Sequence, residues 1–565
     1  MRRAWTWIGL VILAVCGVRL YSQGMASLGS PAVARMAPSG RPFAVSLVDV
    51  AAQVGLRARF VNGGEAAKQY IIEANGTGVA FLDFDNDGWD DVFLVNGSRL
   101  GGGNVGGNYL FRNDHGKFVD MTKQAGMQRT GWGNGVCVGD VDNNGFDDLF
   151  VTYWGANVLY LNSGKGSFRA EVWKDQGEWS TGCSFLDYDR DGRLDLVITR
   201  YVEFDPAKTP QPGAAANCMW KGAPVFCGPR GLPPGGLTLY RGNGDGTFAD
   251  VTAASGAAAA GRFFGFTVLA TDWNHDGWTD IYVASDSSPS VMLRNNKDGT
   301  FSELGTETGV AFNEHGYEQG GMGLAAGDFD NDGRLDLIKT NFTGDYPNLF
   351  HNLGAGIFED VVMKAGLAVN PQYVAWGVGL VDFDNDGWLD VFQVNGHVFP
   401  ELEKKPGGEP FKNPRLLYRN LGGGRFEDVS AMAGPGVTER ASSRGAAFAD
   451  FDNDGDVDVL IMNMHGAPSL LRNDMASGNG WLQIRLTGKA MGAVVTLEAG
   501  GRKQAQTVVS QTSFLSHNGR RLHFGLGKAK SVDGVAVAWP SGRVERFSVE
   551  GINRILHLDE GKGTP

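Results

Sequence analysis

The sequence predicts an all-β protein: a seven-bladed β-propeller followed by a small C-terminal β domain. Three observations predict this fold class. Glycine is unusually frequent, at 84 of 565 residues, and is spread along the chain as in proteins of short strands and tight turns. An acidic nine-residue pattern recurs seven times, always between apolar segments. Its copies begin 47 to 85 residues apart, about the length of a four-stranded blade.

The first residues are typical of an export signal. Arg2 and Arg3 precede an uncharged stretch from Ala4 to Val18, which is shorter than the ~20 apolar residues of a membrane-spanning helix. We therefore expect residues 1–24 to be a signal peptide and residues 25–42 to be a flexible leader. The alternative is an uncleaved anchor, and we expect no other transmembrane segment. The expected location is secreted, periplasmic or on the cell surface.

The repeated pattern is Asp-x-Asp-x-Asp-Gly-x-x-Asp, and we name its copies acidic loops 1 to 7. In each loop glycine stands sixth and aspartate stands first and ninth. An ordinary solvated turn is the simplest alternative, but four ligand-type positions recur in all seven copies, and 26 of these 28 positions are aspartate. The loops begin at Asp83, Asp140, Asp187, Asp272, Asp328, Asp382 and Asp450.

This spacing suits Ca²⁺, which takes about six to eight oxygen ligands. Side chains at positions one, three, five and nine can converge on one point, and the backbone carbonyl at position seven can complete the shell. We expect up to seven Ca²⁺ ions, with weaker binding in the two loops where asparagine replaces one carboxylate. The predicted metal ligands are Asp83, Asp85, Asp87, Trp89 and Asp91; Asp140, Asp142, Asn144, Phe146 and Asp148; Asp187, Asp189, Asp191, Arg193 and Asp195; Asp272, Asn274, Asp276, Trp278 and Asp280; Asp328, Asp330, Asp332, Arg334 and Asp336; Asp382, Asp384, Asp386, Trp388 and Asp390; and Asp450, Asp452, Asp454, Asp456 and Asp458.

An EF-hand begins similarly, but it needs a glutamate at position twelve and flanking helices. Position twelve is never glutamate here, and the residues after each loop favour a strand, as in Asp91-Val92-Phe93-Leu94-Val95. A second unit then follows, a short strand ending near Arg-Asn and a Gly-x-Phe strand. The sequence therefore favours a blade over an EF-hand.

The points at which the first and last repeats begin and end, which we call the phase of the repeat, predict how the ring closes. Residues 43–55 resemble the end of a repeat that lacks its acidic loop, whereas the seventh repeat stops at Arg472-Asn473 without its last strand. An N-terminal strand that completes the last blade removes both exposed sheet edges. We expect the propeller to span residues 43–476 and a separate β domain to span residues 477–565.

The formal charge of −13 and the lack of a dense basic run exclude a nucleic-acid-binding surface. The cysteines allow one disulfide. Cys218 and Cys227 lie in a Pro/Gly-rich stretch, where a disulfide can close a loop. Cys137 and Cys183 fall within apolar strands, and we expect them to be buried free thiols.

The chain resembles a known family over nearly its whole mature length. The acidic loops and their Phe-Asp-Asn-Asp-Gly cores resemble the FG-GAP/VCBS repeats of integrin α propellers. Together with Cys227-Gly228-Pro229-Arg230-Gly231-Leu232, they resemble the cartilage acidic protein-like family. His523-Phe524-Gly525-Leu526-Gly527 resembles an ASPIC/UnbV domain. The resemblance implies extracellular calcium binding and interaction with other molecules, and it implies no reaction.

Two classes of function fit these observations. One is an exported binding, adhesion or scaffold protein, whose calcium ions rigidify the blades while a face binds an unknown protein or glycan. The other is an enzyme on the propeller face. The chain has no HExxH, GxSxG or phosphate-binding loop, and only His397 with Glu401 and His315 with Glu318 form His/Glu pairs worth naming. We therefore lean against catalysis, with no catalytic or cofactor-binding residue assigned.

A carbohydrate-binding variant of the first class uses aromatic side chains as stacking platforms. Trp132, Trp154, Trp376 and Tyr373 lie near strand ends, and packing between blades is the favoured alternative for them. The insertion around Cys218 and Cys227 is the first place where we expect a recognition site, because long insertions in repeat folds often carry one.

Overall fold

A computed structural model describes residues 35–102, 106–173 and 178–565. The expected signal peptide and residues 25–34 of the expected leader lie outside the described residues. Within the described part, no helix is long and apolar enough to cross a membrane.

Seven four-stranded antiparallel sheets form the propeller, as the loop count predicts. The apolar runs are buried on both faces because each blade packs between two others; Val92, Phe93 and Leu94 are all fully buried. The first strands of neighbouring blades pack against one another around a central axis. The strands are Val79–Leu82, Asp91–Leu94, Tyr109–Asn113 and Phe118–Asp120 in blade 1; Trp132–Gly139, Asp148–Trp154, Val158–Asn162 and Phe168–Val172 in blade 2; Ser180–Leu186, Asp195–Val202, Pro234–Gly242 and Phe248–Asp250 in blade 3; and Gly265–Thr271, Asp280–Ser285, Val291–Asn295 and Phe301–Glu303 in blade 4.

The last blade confirms the predicted closure of the ring. Its outer strand comes from the N-terminal part of the chain: Leu47–Asp49 pairs antiparallel with Ser469–Asn473. The strands are Leu324–Gly327, Asp336–Lys339, Asn348–Gly354 and Ile357–Asp360 in blade 5; Ala375–Val381, Asp390–Asn395, Leu416–Asn420 and Phe426–Asp428 in blade 6; and Ser443–Ala449, Asp458–Asn463, Ser469–Asn473 and Leu47–Asp49 in blade 7.

Each acidic loop joins the first and second strands of its blade. Because the strands are antiparallel, the loops and the turns between third and fourth strands share one face, which we call the acidic-loop face. The connections between second and third strands lie on the opposite face, which we call the insertion face. They contain the paired strands Met219–Trp220 and Ala223–Pro224 and the strand Asn413–Pro414, which pairs with Arg440–Ala441.

Helical segments are short and lie in connections. The 3-10 helices are Ile71–Glu73, Ala216–Cys218, Ala257–Ala260 and Pro400–Leu402, and the α-helical turns are Val362–Ala365 and Pro435–Thr438.

The C-terminal β domain consists of two sheets with their own apolar core, which includes Ile484, Leu497 and Phe524. In the three-stranded sheet the central strand pairs antiparallel with one neighbour and parallel with the other. The strands are Arg521–Gly527, Gly480–Thr487 and Arg554–Asp559 in this sheet, and Arg502–Thr507, Val494–Ala499, Gly534–Ala538 and Val544–Phe547 in the four-stranded sheet.

One loop of this domain, residues 508–519, enters the propeller axis, and we call it the axial loop. The first strands of a propeller expose unpaired backbone groups to the axis, and burial requires partners for them. The axial loop supplies partners in every blade. Its bonds reach Val79 and Phe81 in blade 1, Val136 and Val138 in blade 2, Cys183 in blade 3, Val268 in blade 4, Leu324 in blade 5, Val378 in blade 6 and Phe448 in blade 7.

Two disulfides lie within the described residues. Cys218–Cys227 confirms the predicted bridge in the insertion. The expectation of free thiols at Cys137 and Cys183 is wrong, because these residues also form a disulfide. They lie on the first strands of blades 2 and 3, whose close approach at the axis brings the two Cα atoms to 5.8 Å.

Candidate metal centres

The first aspartate of each loop organises the turn through backbone amides. In acidic loop 1, Asp83 Oδ1 accepts from the Asp87 amide at 3.0 Å and Oδ2 accepts from the Gly88 amide at 3.1 Å. The same pair of bonds recurs at the first aspartate of the other six loops. The loop therefore folds around carboxylates.

Two positions bend the chain. The residue at position four has positive φ in every loop, as with 56° at Asn86, a conformation that asparagine tolerates well. The glycine at position six also has positive φ, 88° at Gly88, so that the sequence requires glycine there. His275 occupies position four in loop 4, and it is exposed.

The ninth aspartate connects the loop to the rest of its blade. Asp91 Oδ2 accepts from the Phe84 amide at 3.0 Å, and Oδ1 accepts from the Asn113 amide at 2.7 Å, at the end of the third strand. All seven ninth aspartates are buried, and burial raises their pKa, to about 8 for Asp148 and Asp195.

These carboxylates converge. In at least four of the loops, oxygens of the first, third and ninth aspartates lie within 4.8 Å of one another; these groups include Asp83, Asp85 and Asp91; Asp140, Asp142 and Asp148; Asp187, Asp189 and Asp195; and Asp328, Asp330 and Asp336. Such groups could hold a metal ion. The donor set is entirely oxygen, which suits a hard cation such as Ca²⁺.

A buried acceptor without a partner supports that fit. The third aspartate places Oδ1 inside the loop, and in three loops this oxygen is buried without a hydrogen-bond partner in the described part of the chain: Asp85, Asp384 and Asp452. An unpaired carboxylate oxygen in the interior is costly unless a cation or donor faces it.

At position seven the backbone carbonyl is the predicted ligand, and the side chains have other contacts. In loop 1 the Trp89 amide donates to Asp87 Oδ1 at 2.9 Å, and its indole ring lies beside His115, 4.9 Å between centroids. Arg193 and Arg334 turn their guanidinium groups toward the fifth aspartates Asp191 and Asp332. In loops 1, 3 and 5 the position-seven side chain therefore makes contacts outside the group formed by the first, third and ninth aspartates. In loop 7 this position is Asp456, whose Oδ1 accepts from Asn385 Nδ2 at 3.2 Å.

A cation from the third strand faces several loops from outside. Arg241 lies 2.8 Å from Asp189, and Arg419 lies 3.2 Å from Asp384, both third-position aspartates. In loop 5 the same place holds a histidine, His351. The two arginines contact the outer carboxylate oxygens of loops 3 and 6 and reduce the repulsion among the carboxylates there.

The asparagine that ends the third strand has a role that was not predicted from the sequence. Its amide group reaches two carbonyls: Asn162 Nδ2 donates to Asp147 O of its own loop and to Phe84 O of the preceding loop, at 3.1 and 2.8 Å. The recurring Arg-Asn unit was the available signal, but its spacing gives no indication of a contact with another blade.

The C-terminal domain lies on the acidic-loop face. Arg485 Nη1 donates to Asp83 Oδ2 at 2.9 Å, and Arg521 pairs with Asp90 at 2.5 Å. Gln483 Nε2 donates to Asp450 Oδ2 at 2.7 Å. The domain thus covers the face that bears the loops and adds positive charge beside loops 1 and 7.

The insertion face is built by three connections that meet over the axis. Phe226 packs on Phe399, with 4.7 Å between ring centroids, and Tyr70 Oη donates to Pro206 O at 3.2 Å. Buried Arg444 bridges two of the connections by donating to Ala74 O and Gly396 O. The disulfide-bonded insertion is therefore part of a packed surface on this face.

The two histidine pairs from the sequence do not form in the structure. His397 faces Glu409 instead of Glu401, with 3.3 Å between Nε2 and Oε2. Burial alone would raise the pKa of Glu409, but hydrogen bonds from His397, Lys221 and Trp220 lower it to about 2.

His315 pairs with Glu314, whereas Glu318 pairs with Arg230. Among the aromatic candidates, Trp132 and Trp376 are buried, and Trp154 and Tyr373 are half-buried. Trp376 stacks under Arg444, 4.2 Å from the ring centroid. The two buried indoles pack in the core and offer no stacking platform.

Sequence comparison agrees with this architecture. The chain matches the FG-GAP-like repeat family over residues 83–151, 140–198, 225–283, 272–338 and 412–461, and the ASPIC and UnbV family over residues 485–565. It is an FG-GAP repeat protein with an ASPIC/UnbV domain. The FG-GAP matches begin at an acidic loop in three repeats, which places these loops within the family's own pattern.

Similar proteins include Cartilage acidic protein 1 of Xenopus tropicalis, 28% identical over 296 residues, and of Mus musculus, 27% identical over 293 residues. Each match covers 50% of this chain and 42% and 43% of the relatives, so the chain spans less than half of their length. Among solved structures, an Agrocybe aegerita lectin specific for non-reducing terminal N-acetylglucosamine aligns with a TM-score of 0.39 and 17% identity, over 70% of this chain and 94% of the lectin.

Proposed function

We propose that this chain is an exported calcium-binding propeller, a binding, adhesion or scaffold module whose metal ions rigidify the blades. The observation that carries the proposal is the buried, unpartnered Oδ1 of the third aspartate in Asp85, Asp384 and Asp452. The converging carboxylates of loops 1, 2, 3 and 5 support it. A cation in each loop would satisfy these oxygens. The ligands of each ion would be the residues predicted from the sequence.

The charge of the chain supports a divalent cation in each loop. The formal charge is −13, and seven Ca²⁺ ions would bring it to about +1. Without the ions, the like charges of each loop repel one another, and folding should be coupled to metal binding. Extracellular calcium modules have dissociation constants of about 10⁻⁴–10⁻³ M, which suits an exported protein.

Two features support export. Both cystines, Cys137–Cys183 and Cys218–Cys227, require an oxidising compartment to form and persist. The Cartilage acidic protein 1 relatives support an extracellular setting, which we propose for this chain as secreted, periplasmic or cell-surface.

We infer that the partner binds the insertion face. The C-terminal domain occupies part of the acidic-loop face through contacts such as Arg485 with Asp83, so less of that face is free for a partner. The insertion face carries the long disulfide-bonded connection and exposed charged groups such as Lys221 and Arg230. Either a protein or a glycan fits this proposal.

Equilibrium dialysis of the metal-stripped full chain against Ca²⁺ tests metal binding. We expect about seven ions per chain, one for each acidic loop. Asp336→Asn removes one carboxylate from loop 5 and should weaken or abolish one site. Asp245→Asn is the matched control, because Asp245 caps an exposed turn by accepting from Thr247 and belongs to no loop. Binding of one ion or none would overturn the proposal.

A screen of immobilised glycans and matrix proteins with Lys221→Glu and Lys165→Glu variants tests the binding face. Lys221 lies on the insertion face and Lys165 lies in an exposed turn beside the acidic loops. A ligand of the insertion face should lose affinity only in the first variant. A ligand that responds only to the second variant would contradict the assignment of the face.

A further inference from the structure

The acidic loops of neighbouring blades are joined by a side chain from the third strand. The terminal asparagine of a blade donates its amide to the backbone carbonyl at position two of the preceding loop, as Asn352 does to Trp273 O at 2.9 Å. We call this the backward link. It is made by Asn113 to Phe451, Asn162 to Phe84, Asn295 to Tyr188, Asn352 to Trp273, Asn420 to Phe329 and Asn473 to Phe383.

A second link runs in the other direction. The side chain at position four donates to the carbonyl of the glycine in the next loop, as Asn331 does to Gly387 O at 2.8 Å. We call this the forward link. It is made by Asn86 to Gly145, Arg190 to Gly277, Asn331 to Gly387, Asn385 to Gly455 and Asn453 to Gly88.

One junction lacks both links. Blade 3 has Gly242 at the end of its third strand, so that no side chain there can reach loop 2. At position four of loop 2, Asn143 is exposed, and among the described hydrogen bonds it makes none to loop 3. A cavity of about 30 Å³, lined by Asn143, Asp187 and Gly192 among others, lies between the two loops. The other six junctions keep at least one link.

The Cys137–Cys183 disulfide lies at this junction. Cys137 is three residues before acidic loop 2, and Cys183 is four residues before acidic loop 3. Both side chains are fully buried. The covalent bond therefore joins the two strands that lead directly into the unlinked loops.

We propose that the Cys137–Cys183 disulfide replaces the missing links and holds acidic loops 2 and 3 in register. The third-strand asparagines are the corresponding positioning residues at the other junctions. The ring of loops thus has six hydrogen-bonded junctions and one covalent junction. This role goes beyond the proposed function and holds for the fold whether or not a metal fills the loops.

The number of links at a junction predicts how strongly the loss of one asparagine affects it. The junction between loops 4 and 5 has only the backward link of Asn352, since His275 makes no forward link in the described structure. The junction between loops 5 and 6 has both links, from Asn420 and Asn331. Replacing Asn352 by alanine should therefore destabilise the junction between loops 4 and 5 more than replacing Asn420 destabilises the junction between loops 5 and 6.

Hydrogen exchange of loop amides in the full chain tests the proposal. The reporters for loops 2 and 3 are the amides of Gly145 and Gly192, which donate to the first aspartates. The variant Cys137→Ala/Cys183→Ala should raise exchange in these two loops by at least ~10-fold. The control Cys218→Ala/Cys227→Ala should leave them unchanged.

If the first variant does not fold, the Cys218→Ala/Cys227→Ala variant, whose one remaining disulfide among the described residues is Cys137–Cys183, is treated with a phosphine reductant and alkylated, and it is compared with the same variant left untreated. Exchange that is unchanged in loops 2 and 3, or raised equally in all seven loops, would overturn the proposal.

Asn352→Ala should raise exchange in loops 4 and 5 by about three- to tenfold, the equivalent of one net hydrogen bond, and Asn420→Ala should raise it less in loops 5 and 6.

Equal effects of the two asparagine variants would contradict the link scheme. Every measurement is made with Ca²⁺ and with chelator. The contrast between junctions should appear in both, whereas a failure of calcium binding would appear as identical exchange in the two conditions.

Discussion

The ninth aspartate of an acidic loop is the residue on which both the blade and the proposed metal site depend. In loop 5, Asp336 accepts from the Phe329 amide at 3.1 Å and from the Asn352 amide at 2.8 Å. The carboxyl is fully buried, and burial raises its pKa well above the ordinary value. The same group thus fixes the loop to the third strand and carries a charge that the fold can tolerate only beside a cation.

The raised pKa values predict how the metal-free protein responds to pH. Burial raises the pKa of Asp148 and Asp195 from 3.8 to about 8. A carboxyl whose pKa is higher in the folded state contributes stability that is complete below its unfolded pKa and is lost as the pH rises through the folded value. In chelator, these aspartates should therefore lower the free energy of unfolding between about pH 4 and pH 8.

Urea unfolding at several pH values, with chelator and with saturating Ca²⁺, measures this dependence. With Ca²⁺ the decline should be much smaller, because a metal-bound carboxylate is already ionised. A metal-free protein whose stability rises steadily from pH 5 to pH 8 would contradict the prediction.

The asparagine at position three of loop 4 predicts a weaker site that can be strengthened. Asn274 Oδ1 accepts from the Asp276 amide at 3.0 Å, as an aspartate does elsewhere. Asn274→Asp should raise the calcium affinity of one site by about tenfold, because affinity follows the number of charged ligands. Asn143→Asp adds the same charge beside loop 2 outside the ligand positions and is the matched control. Equal effects of both variants in calorimetric titration would show that the position is not a ligand.

At the scale of the element, the axial loop is the least expected part of the structure. Gln511 is fully buried and bonds to three blades: Oε1 accepts from the amides of Cys183 and Val268, and Nε2 donates to Val136 O. Phe514 packs on Trp376, with 4.8 Å between ring centroids. The C-terminal domain therefore contributes, through its axial loop, to the packing around the propeller axis.

Gln511→Ala should destabilise the whole protein, since it leaves three buried backbone groups without partners at a cost of about 1–3 kcal/mol for each. The control is Gln372→Ala, an exposed side chain with a single long hydrogen bond to Asn370. Differential scanning calorimetry of both variants measures the effect. A melting temperature of Gln511→Ala equal to that of the control would mean that the axial loop does not stabilise the ring.

The sequence predicts the blades better than the contacts between them. Seven acidic loops and the phase of the repeat were sufficient for the blade number and for closure by Leu47–Asp49. These features are local in the chain. The Cys137–Cys183 bridge was missed because it joins strands of different blades, 46 residues apart, and an apolar strand pattern favours a buried thiol equally well.

The axial loop was missed for a different reason. Ser510-Gln511-Thr512-Ser513 is polar and has no periodicity, so it resembles a solvent-exposed loop. Its partners are mostly backbone amides and carbonyls, such as those of Leu324, which any residue offers. No side-chain pattern could therefore identify the position of this loop in advance.

At the scale of the whole molecule, the two faces have different roles. The acidic-loop face holds the carboxylates and is covered by the C-terminal domain, and the insertion face is covered by connections of the propeller itself. Arg485 and Arg521 add positive charge beside loops 1 and 7. Loops 3 and 6 have arginines of their own blades, Arg241 and Arg419, beside their carboxylates.

Thermal unfolding of the purified mature chain with saturating Ca²⁺ and with excess chelator tests the central claim most directly. Cation binding to the folded state alone stabilises it by mass action, and seven sites act together. The account predicts that chelator lowers the melting temperature by more than ~10 °C and that added Ca²⁺ restores it. A melting temperature that is the same in both conditions would contradict the account and leave the acidic loops as turns without a metal.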